Sequence, residues 1–278
     1  MSNAYDNHNS QGYSSVRRWV EDLPREGRFT FSLADAQSTF PCMPIENIQN
    51  ALFRLSAAQR ICSVWRGFYA IMLPEYGFQG NIPPTEYIDQ LMSYRRADYY
   101  IGLLTAASYQ GASHQAPQVF QVITNPQIRS KELGNSRLDF VYKKNMPTIG
   151  IETMVVKSGY INVSSPALTA LDLVRYYSRA GGIAHVTEVL SELAESIDFA
   201  TLGTDVFLSE PKTVSQRLGF ILQHVLDEAT LADTLYERLM QAGIVLQRTK
   251  LMPGITESDF GYDKRWNVVV NYLIEVEQ

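Results

Sequence analysis

Between Ser14 and Met72, apolar positions recur first at helical spacing and then in alternation. Val16, Trp19, Val20 and Leu23 share one face of a short helix that Ser14-Ser15 opens and Pro24 closes. Thr30-Phe31-Ser32 predicts a brief extended piece, and Ser32 the cap of a second helix with Leu33, Ala36 and Gln37 in its first turns. Phe40-Pro41-Cys42-Met43-Pro44 forces a turn, because proline breaks a helix interior yet suits the start of the next helix. A third helix then turns Ile45, Ile48, Leu52 and Leu55 toward a core and leaves Glu46, Asn47, Gln49, Asn50, Phe53 and Arg54 away from it. Arg60 to Val64 and Phe68 to Met72 read as two strands joined by the tight turn Trp65-Arg66-Gly67. Helix, turn, helix, hairpin is the order of a winged helix-turn-helix.

The pattern changes after Leu73. A stretch punctuated by Pro74, Gly77, Gly80, Pro83 and Pro84 reads as a connection between domains. Helical segments are expected at Glu86 to Ser93 and Tyr99 to Gln110, and strands at Val119 to Thr124, Phe140 to Tyr142, Met154 to Val156 and Tyr160 to Val163. Ser165-Pro166 starts a helix reaching Tyr177. After Gly181-Gly182 the chain reads as mostly helical, apart from a loop at Pro253-Gly254 and a last strand from Trp266 to Val276. The expected fold class is therefore α+β, an amino-terminal winged helix-turn-helix followed by a larger mixed α/β domain. The expected boundaries are a disordered polar leader over 1–13, the winged helix over 14–76, a linker over 77–90 and the second domain over 91–278.

Charge and composition narrow the function classes. The net charge of -5 opposes indiscriminate nucleic-acid binding, but a local patch can act within an acidic whole. Before Gly80 every positive charge is an arginine, balanced by carboxylates, and beyond His185 acids outnumber bases. Any DNA contact is thus expected in the amino-terminal part. Cys42 and Cys62 cannot build a disulfide framework, and His8, His114, His185 and His224 are too scattered for a zinc site. No apolar run is long enough for a membrane span, and the polar first residues do not read as a secretory signal, so a cytoplasmic protein is expected.

Candidate chemistry lies first on the third helix. Asn, Gln and Arg can make bidentate contacts to adenine and guanine edges, so Pro44, Glu46, Asn47, Gln49, Asn50 and Arg54 are candidate DNA-binding residues. Arg60, Trp65 and Arg66, around the hairpin, suit phosphate or minor-groove contacts. A solvated helix face and a plain surface turn would carry the same residues. Arg129, Lys131, Arg137, Lys143 and Lys144 form a second basic cluster, suited to nucleic acid or an acidic partner, or simply to solubility. Gly111-Ala112-Ser113-His114-Gln115 lacks the second glycine of a nucleophile elbow and is rejected as a hydrolase site. Asp139 and Glu152, at strand ends, could hold a nuclease metal, but Met154 stands where such sites carry lysine. There is no phosphate-cradling glycine loop. No catalytic residue, cofactor, metal or small-molecule ligand is expected.

Several segments in order resemble the AbiEi family of antitoxins from type IV toxin-antitoxin systems. They are Ala51-Leu52-Phe53-Arg54-Leu55 with Trp65-Arg66-Gly67-Phe68-Tyr69-Ala70-Ile71, then Pro83 to Asp89, Asp98 to Ala107, Gly111 to Val122 and Ser165 to Leu173. The resemblance implies a winged-helix repressor that binds inverted repeats in its own promoter, joined to a domain needed for antitoxicity. It also implies a nucleotidyltransferase-like toxin opposed without a stable complex, and it places the DNA-binding helix on Pro44 to Leu55 with the wing at Trp65 and Arg66. The chain departs from the family at Ser56-Ala57-Ala58-Gln59, where members often carry basic residues and a glycine. Binding strength must then come from a few placed arginines and amides. Two other readings remain open on the residues alone: a metal-dependent nuclease using Asp139 and Glu152, and a protein-binding adaptor.

Overall fold

The computed structural model describes residues 13–77, 81–112, 118–134, 136–255 and 260–275. It divides into two compact units, the first comprising residues 1–96 with 133–135 and 156–159, the second comprising 97–132, 136–155 and 160–278. The leader expected before Tyr13, with His8, and the run from Ser113 to Gln115 lie outside the described residues.

The first unit opens with α1 (Val16–Asp22), whose Ser15 side chain accepts from the Arg18 backbone N–H and so satisfies one of the donors a helix start leaves free. β1 (Thr30–Ser32) leads directly into α2 (Leu33–Thr39). Ser32 and Asp35 cap that junction reciprocally, the Asp35 carboxylate accepting from Ser32 N at 2.7 Å and Ser32 Oγ from Asp35 N at 3.1 Å. α3 (Ile45–Ala57) follows the Pro41–Pro44 turn, and β2 (Ile61–Trp65) and β3 (Phe68–Ile71) form the hairpin. The antiparallel sheet has the order β1-β3-β2, with Phe31 opposite Tyr69 and Cys62 opposite Ala70. Helix, turn, helix and hairpin follow one another here in the order read from the sequence.

Its core is aromatic. The Trp19 ring meets Phe31 edge-on at 5.1 Å and Phe40 at 6.1 Å, and Ile48, Leu52 and Leu55 bring α3 onto the same cluster. Ile45, expected with them, is exposed at the helix start. A short α4 (Pro74–Gly77) and then α5 (Ile88–Arg95) complete the unit, α5 burying Ile88, Leu91 and Met92.

The second unit is built on a six-stranded sheet. Its strands are β4 (Tyr99–Ile101), β5 (Val119–Thr124), β6 (Lys131–Leu133), β7 (Ser136–Tyr142), β8 (Ile151–Val156) and β9 (Gly159–Ser164), in the order β6-β7-β5-β4-β9-β8. The sheet is mixed: β5 runs parallel to β7 and antiparallel to β4. Tyr99 to Ile101, read from sequence as the start of a helix, is thus a strand, and α6 (Leu103–Tyr109) begins only after Gly102. A side chain at Gly102 would come within 2.7 Å of Ile123, so the strand-to-helix corner packs too closely for anything larger.

The central helix α7 (Pro166–Arg175) is capped by Ser165 and buried from Ala167 to Val174 on all sides, as a helix must be that is mostly apolar all round. Around it lie α8 (Ile183–Leu193), α9 (Thr204–Ser209), α10 (Lys212–His224) and α11 (Ala229–Gln241). The chain finishes in a small sheet of β10 (Thr249–Lys250), β11 (Tyr262–Asp263) and β12 (Val268–Val269), in the order β10-β12-β11. The expected last strand from Trp266 shrinks to Val268–Val269 because Trp266 leaves the strand direction to bury its ring. Its Nε1 donates to Gln223 Oε1 at 2.8 Å, and a Cβ at Gly219 would lie 2.2 Å from its ring.

Candidate nucleic-acid interface

α3 owes its ends to local chemistry. Pro44 precedes it with φ near -54°, the value proline prefers, and the Pro44 carbonyl accepts from Asn47 N at 3.0 Å. At the other end Gln59 adopts φ +53°, its N–H donates to Ser56 O at 3.0 Å, and Arg60 N donates to Leu55 O at 2.9 Å. That pair of bonds is the Schellman arrangement that stops helices, here closed without glycine. It fixes where Arg60 leaves the helix.

With Ile48, Leu52 and Leu55 buried, the 100° step between successive residues places Glu46, Asn50, Phe53 and Ala57 on the opposite side. Glu46, Asn47, Gln49, Asn50, Arg54 and Arg60 are all exposed. Asn47 and Arg54 lie on the flank toward α1, where a groove of about 610 Å³ opens. Its lining includes Ser14, Ser15, Arg17, Asn47, Arg54 and Arg60, and none of its described lining residues is acidic. Arg17 is also held by Glu21 at 2.9 Å, which keeps the Glu21 carboxyl below the usual carboxylate range. A mobile surface pair of this kind costs little to open.

The hairpin tip is narrower in its options than its sequence suggests. Arg66 is exposed, but its carbonyl accepts from the Tyr94 hydroxyl at 3.2 Å. Trp65 is only partly exposed, with the Arg95 guanidinium 4.7 Å from its ring centre. Gly67 turns the hairpin at φ +75°, and its carbonyl accepts from Leu33 N at 2.8 Å, tying the tip to α2. Arg17 escaped sequence reasoning because only the tertiary packing of α1 on α3 brings it beside Arg54. Phe53 was legible as a residue turned from the core but not as a site.

The second basic cluster does not survive intact. Arg129, Arg137 and Lys144 are exposed and Lys131 is half-buried, but Lys143 is 1% exposed. Its ammonium donates to Asp172 Oδ1 at 2.7 Å and to the Tyr100 hydroxyl at 3.1 Å, and lies 2.6 Å from Glu210 Oε1. Arg175 reaches the other Glu210 oxygen at 2.5 Å. Lys143 is therefore part of an interior ion network, one residue past the end of a strand whose last side chain, Tyr142, points outward.

The nuclease reading is also corrected. Asp139 is buried on β7, accepting from Ser130 Oγ at 2.6 Å and Arg179 Nη1 at 3.1 Å. Glu152 is exposed on β8, four strand positions away in the sheet, or about 19 Å at the usual strand spacing. One metal cannot join them. Among the described residues no group of three or more His, Cys, Asp or Glu side chains is placed to hold a metal ion. Likewise no described helix is long and apolar enough to cross a membrane.

Residues 100–224, which form most of the second unit's sheet and its central helices, match the family model described as the AbiEi antitoxin C-terminal domain. This segment is AbiEi-like. The resemblance read from the sequence is borne out over it. No curated protein matches the chain. Among solved structures, the RV2827C protein of Mycobacterium tuberculosis aligns with TM-score 0.63 at 14% identity, over 95% of this chain and 92% of that one. That likeness concerns the fold, including the unit that precedes the AbiEi-like segment. An antigenic nucleotidyltransferase-like protein from Paracoccidioides brasiliensis aligns with TM-score 0.37 at 11% identity, over 54% of this chain and 89% of that one.

Proposed function

We propose that this protein is an antitoxin and a transcriptional regulator without enzymatic activity. Its amino-terminal unit binds double-stranded DNA at inverted repeats in its own promoter, and the AbiEi domain opposes a nucleotidyltransferase-like toxin without forming a stable complex. The observation that carries the DNA half is the groove beside α3. Arg17, Arg54 and Arg60 line it on one flank of a helix whose outward face bears Glu46, Gln49 and Asn50. In helix-turn-helix docking the second helix of the motif enters the major groove, the task for which α3 carries amides, and Arg17 of α1 stands beside it for the phosphate backbone. Arg54 then serves phosphate rather than a base edge, and Arg66 at the hairpin tip is an exposed cation for the neighbouring backbone.

Inverted repeats imply two copies, one α3 per half-site, with half-sites about 34 Å apart or a multiple of it. Retardation of DNA from upstream of the gene, titrated against salt, tests the reading. Sequence-preferential binding that weakens steeply with salt is expected. Equal binding to unrelated DNA of the same length would end it.

A further inference from the structure

On the face of α3 opposite its core, Phe53 stands 74% exposed, an aromatic side chain that this unit leaves uncovered. Its neighbours are not those of an apolar patch. Asn50 is three residues before it and Gln49 four, so both amides lie beside it on the helix surface, and Ala57 four residues on leaves the next turn low. Exposed arginines flank this stripe at Arg54 and Arg60, and the groove they line has no described acidic residue. A polyanion whose recognition surface offers amide-binding edges and one apolar group meets the amides, the phenylalanine and the flanking arginines, with Glu46 at the helix start the one acidic residue of α3. The major groove of DNA is that surface: adenine presents an acceptor and a donor to Asn or Gln, and its partner thymine presents a 5-methyl group.

We propose that Phe53 is a specificity-determining residue that packs on a thymine 5-methyl group, next to an A·T pair read by Asn50 or Gln49. The inference rests on the DNA-binding reading and adds to it a base and an atom. It also gives a role to an exposed phenylalanine on a helix whose other outward residues are polar or small. A second copy of the chain is a weaker occupant, since burying Phe53 against itself would also bring both flanking sets of arginines together.

The test uses the full chain and a duplex covering the footprint it gives on DNA upstream of its gene. In a series of such duplexes each thymine is replaced singly by deoxyuridine, which keeps base pairing and deletes only the methyl group. The wild-type chain should bind about fourfold more weakly at one thymine in each half-site, the effect of removing one methyl-sized apolar contact. Phe53→Ala should bind the thymine and deoxyuridine duplexes equally, and Phe53→Leu should keep part of the discrimination. Because Phe53 contributes no burial to the core, its variants should fold, and matching circular dichroism and unfolding midpoints would confirm that. If sequence preference is present but no thymine is methyl-sensitive, or Phe53→Ala is as methyl-sensitive as the wild type, the role of Phe53 falls while DNA binding stands. If Phe53→Ala changes only the oligomeric state, the residue belongs to a contact between copies. If no upstream DNA is preferred at all, both readings fall together.

Discussion

Lys143 Nζ donates to Asp172 Oδ1 at 2.7 Å, and each of the two side chains is at least 99% withdrawn from solvent. With Glu210 Oε1 2.6 Å from the ammonium and Arg175 on the far side of that carboxylate, two positive and two negative groups meet in the AbiEi-like segment. The arrangement neutralises itself, which is the condition for burying charge at all. Burial nonetheless pushes the Asp172 carboxyl up, with Lys143 pulling the other way and Glu210 adding to the rise.

Removing the ammonium alone should therefore be costly. Lys143→Met leaves the Asp172 and Glu210 carboxylates facing each other with only Arg175 between them and solvent. The loss should be about 3 to 5 kcal/mol in urea unfolding, as for other buried pairs stripped of one partner. Lys143→Met with Asp172→Leu removes one charge of each sign and leaves Arg175 to Glu210. It should recover most of that loss, and failure to recover it would mean that packing, not charge, sets the effect.

The same network makes stability fall at alkaline pH. The Tyr100 hydroxyl donates to Asp172 Oδ2 at 2.6 Å, and burial first, then the Asp172 carboxylate, holds its pKa well above the ordinary tyrosine range. A folded-state pKa above the unfolded value means that the native state holds this proton more tightly. Its stabilisation is complete below about pH 10, the unfolded pKa, and is lost as pH rises from there toward the folded pKa. Unfolding midpoints across that range should decline for the wild type and less steeply for Tyr100→Phe. The Tyr100→Phe protein should also be less stable at neutral pH, since Lys143 and Asp172 each lose a partner. Tyrosinate absorbance of the native chain should omit Tyr100 until the protein unfolds.

Lys143 also marks where sequence reading stops. The helical spacing of Ile48, Leu52 and Leu55 and the turn at Gly67 were visible because each follows from local periodicity or a single backbone demand. Ser15, Ser32 and Ser165 likewise announce the helices they cap. Lys143 next to Lys144 reads as surface charge, and only the separation in sequence of Tyr100, Asp172 and Glu210 hides that three partners wait for it. Tyr99 to Ile101 misled for a related reason: three bulky residues before a helical run continue its pattern, and the break at Gly102 is a packing constraint from Ile123, not a local signal. In the candidate interface, exposure of the α3 residues was legible, but the grouping of Arg17 with Arg54 and Arg60 needs α1 in place.

Those arginines give a quantitative prediction for DNA binding. Each phosphate neutralised releases counterions, contributing about 0.9 to the slope of log affinity against log salt. Arg54→Ala or Arg60→Ala should weaken binding to specific and unrelated DNA alike and lower that slope by about 1 per protomer. A variant that loses discrimination but keeps the slope would instead assign its arginine to a base. Asn50→Ala provides the contrast, because an amide reading adenine should cost discrimination and leave the slope unchanged.

Gln59 offers a test of how α3 is closed. At φ +53° it occupies the left-handed region that costs a residue with a Cβ about 1 to 2 kcal/mol, and its side chain is exposed. Nothing in its surroundings compensates beyond the two backbone bonds, which glycine would make equally well. Gln59→Gly should therefore raise the unfolding free energy, with the greater freedom of unfolded glycine reducing the gain to about 0.5 to 1 kcal/mol. Gln59→Val should do the reverse, since a branched Cβ is least tolerant of this conformation. Because the turn geometry is shared, Gln59→Gly should leave Arg60 in place and the salt slope of DNA binding unchanged. A Gln59→Gly chain that is more stable but binds with a lower slope would show that the strained turn, not only its sequence, sets the position of Arg60.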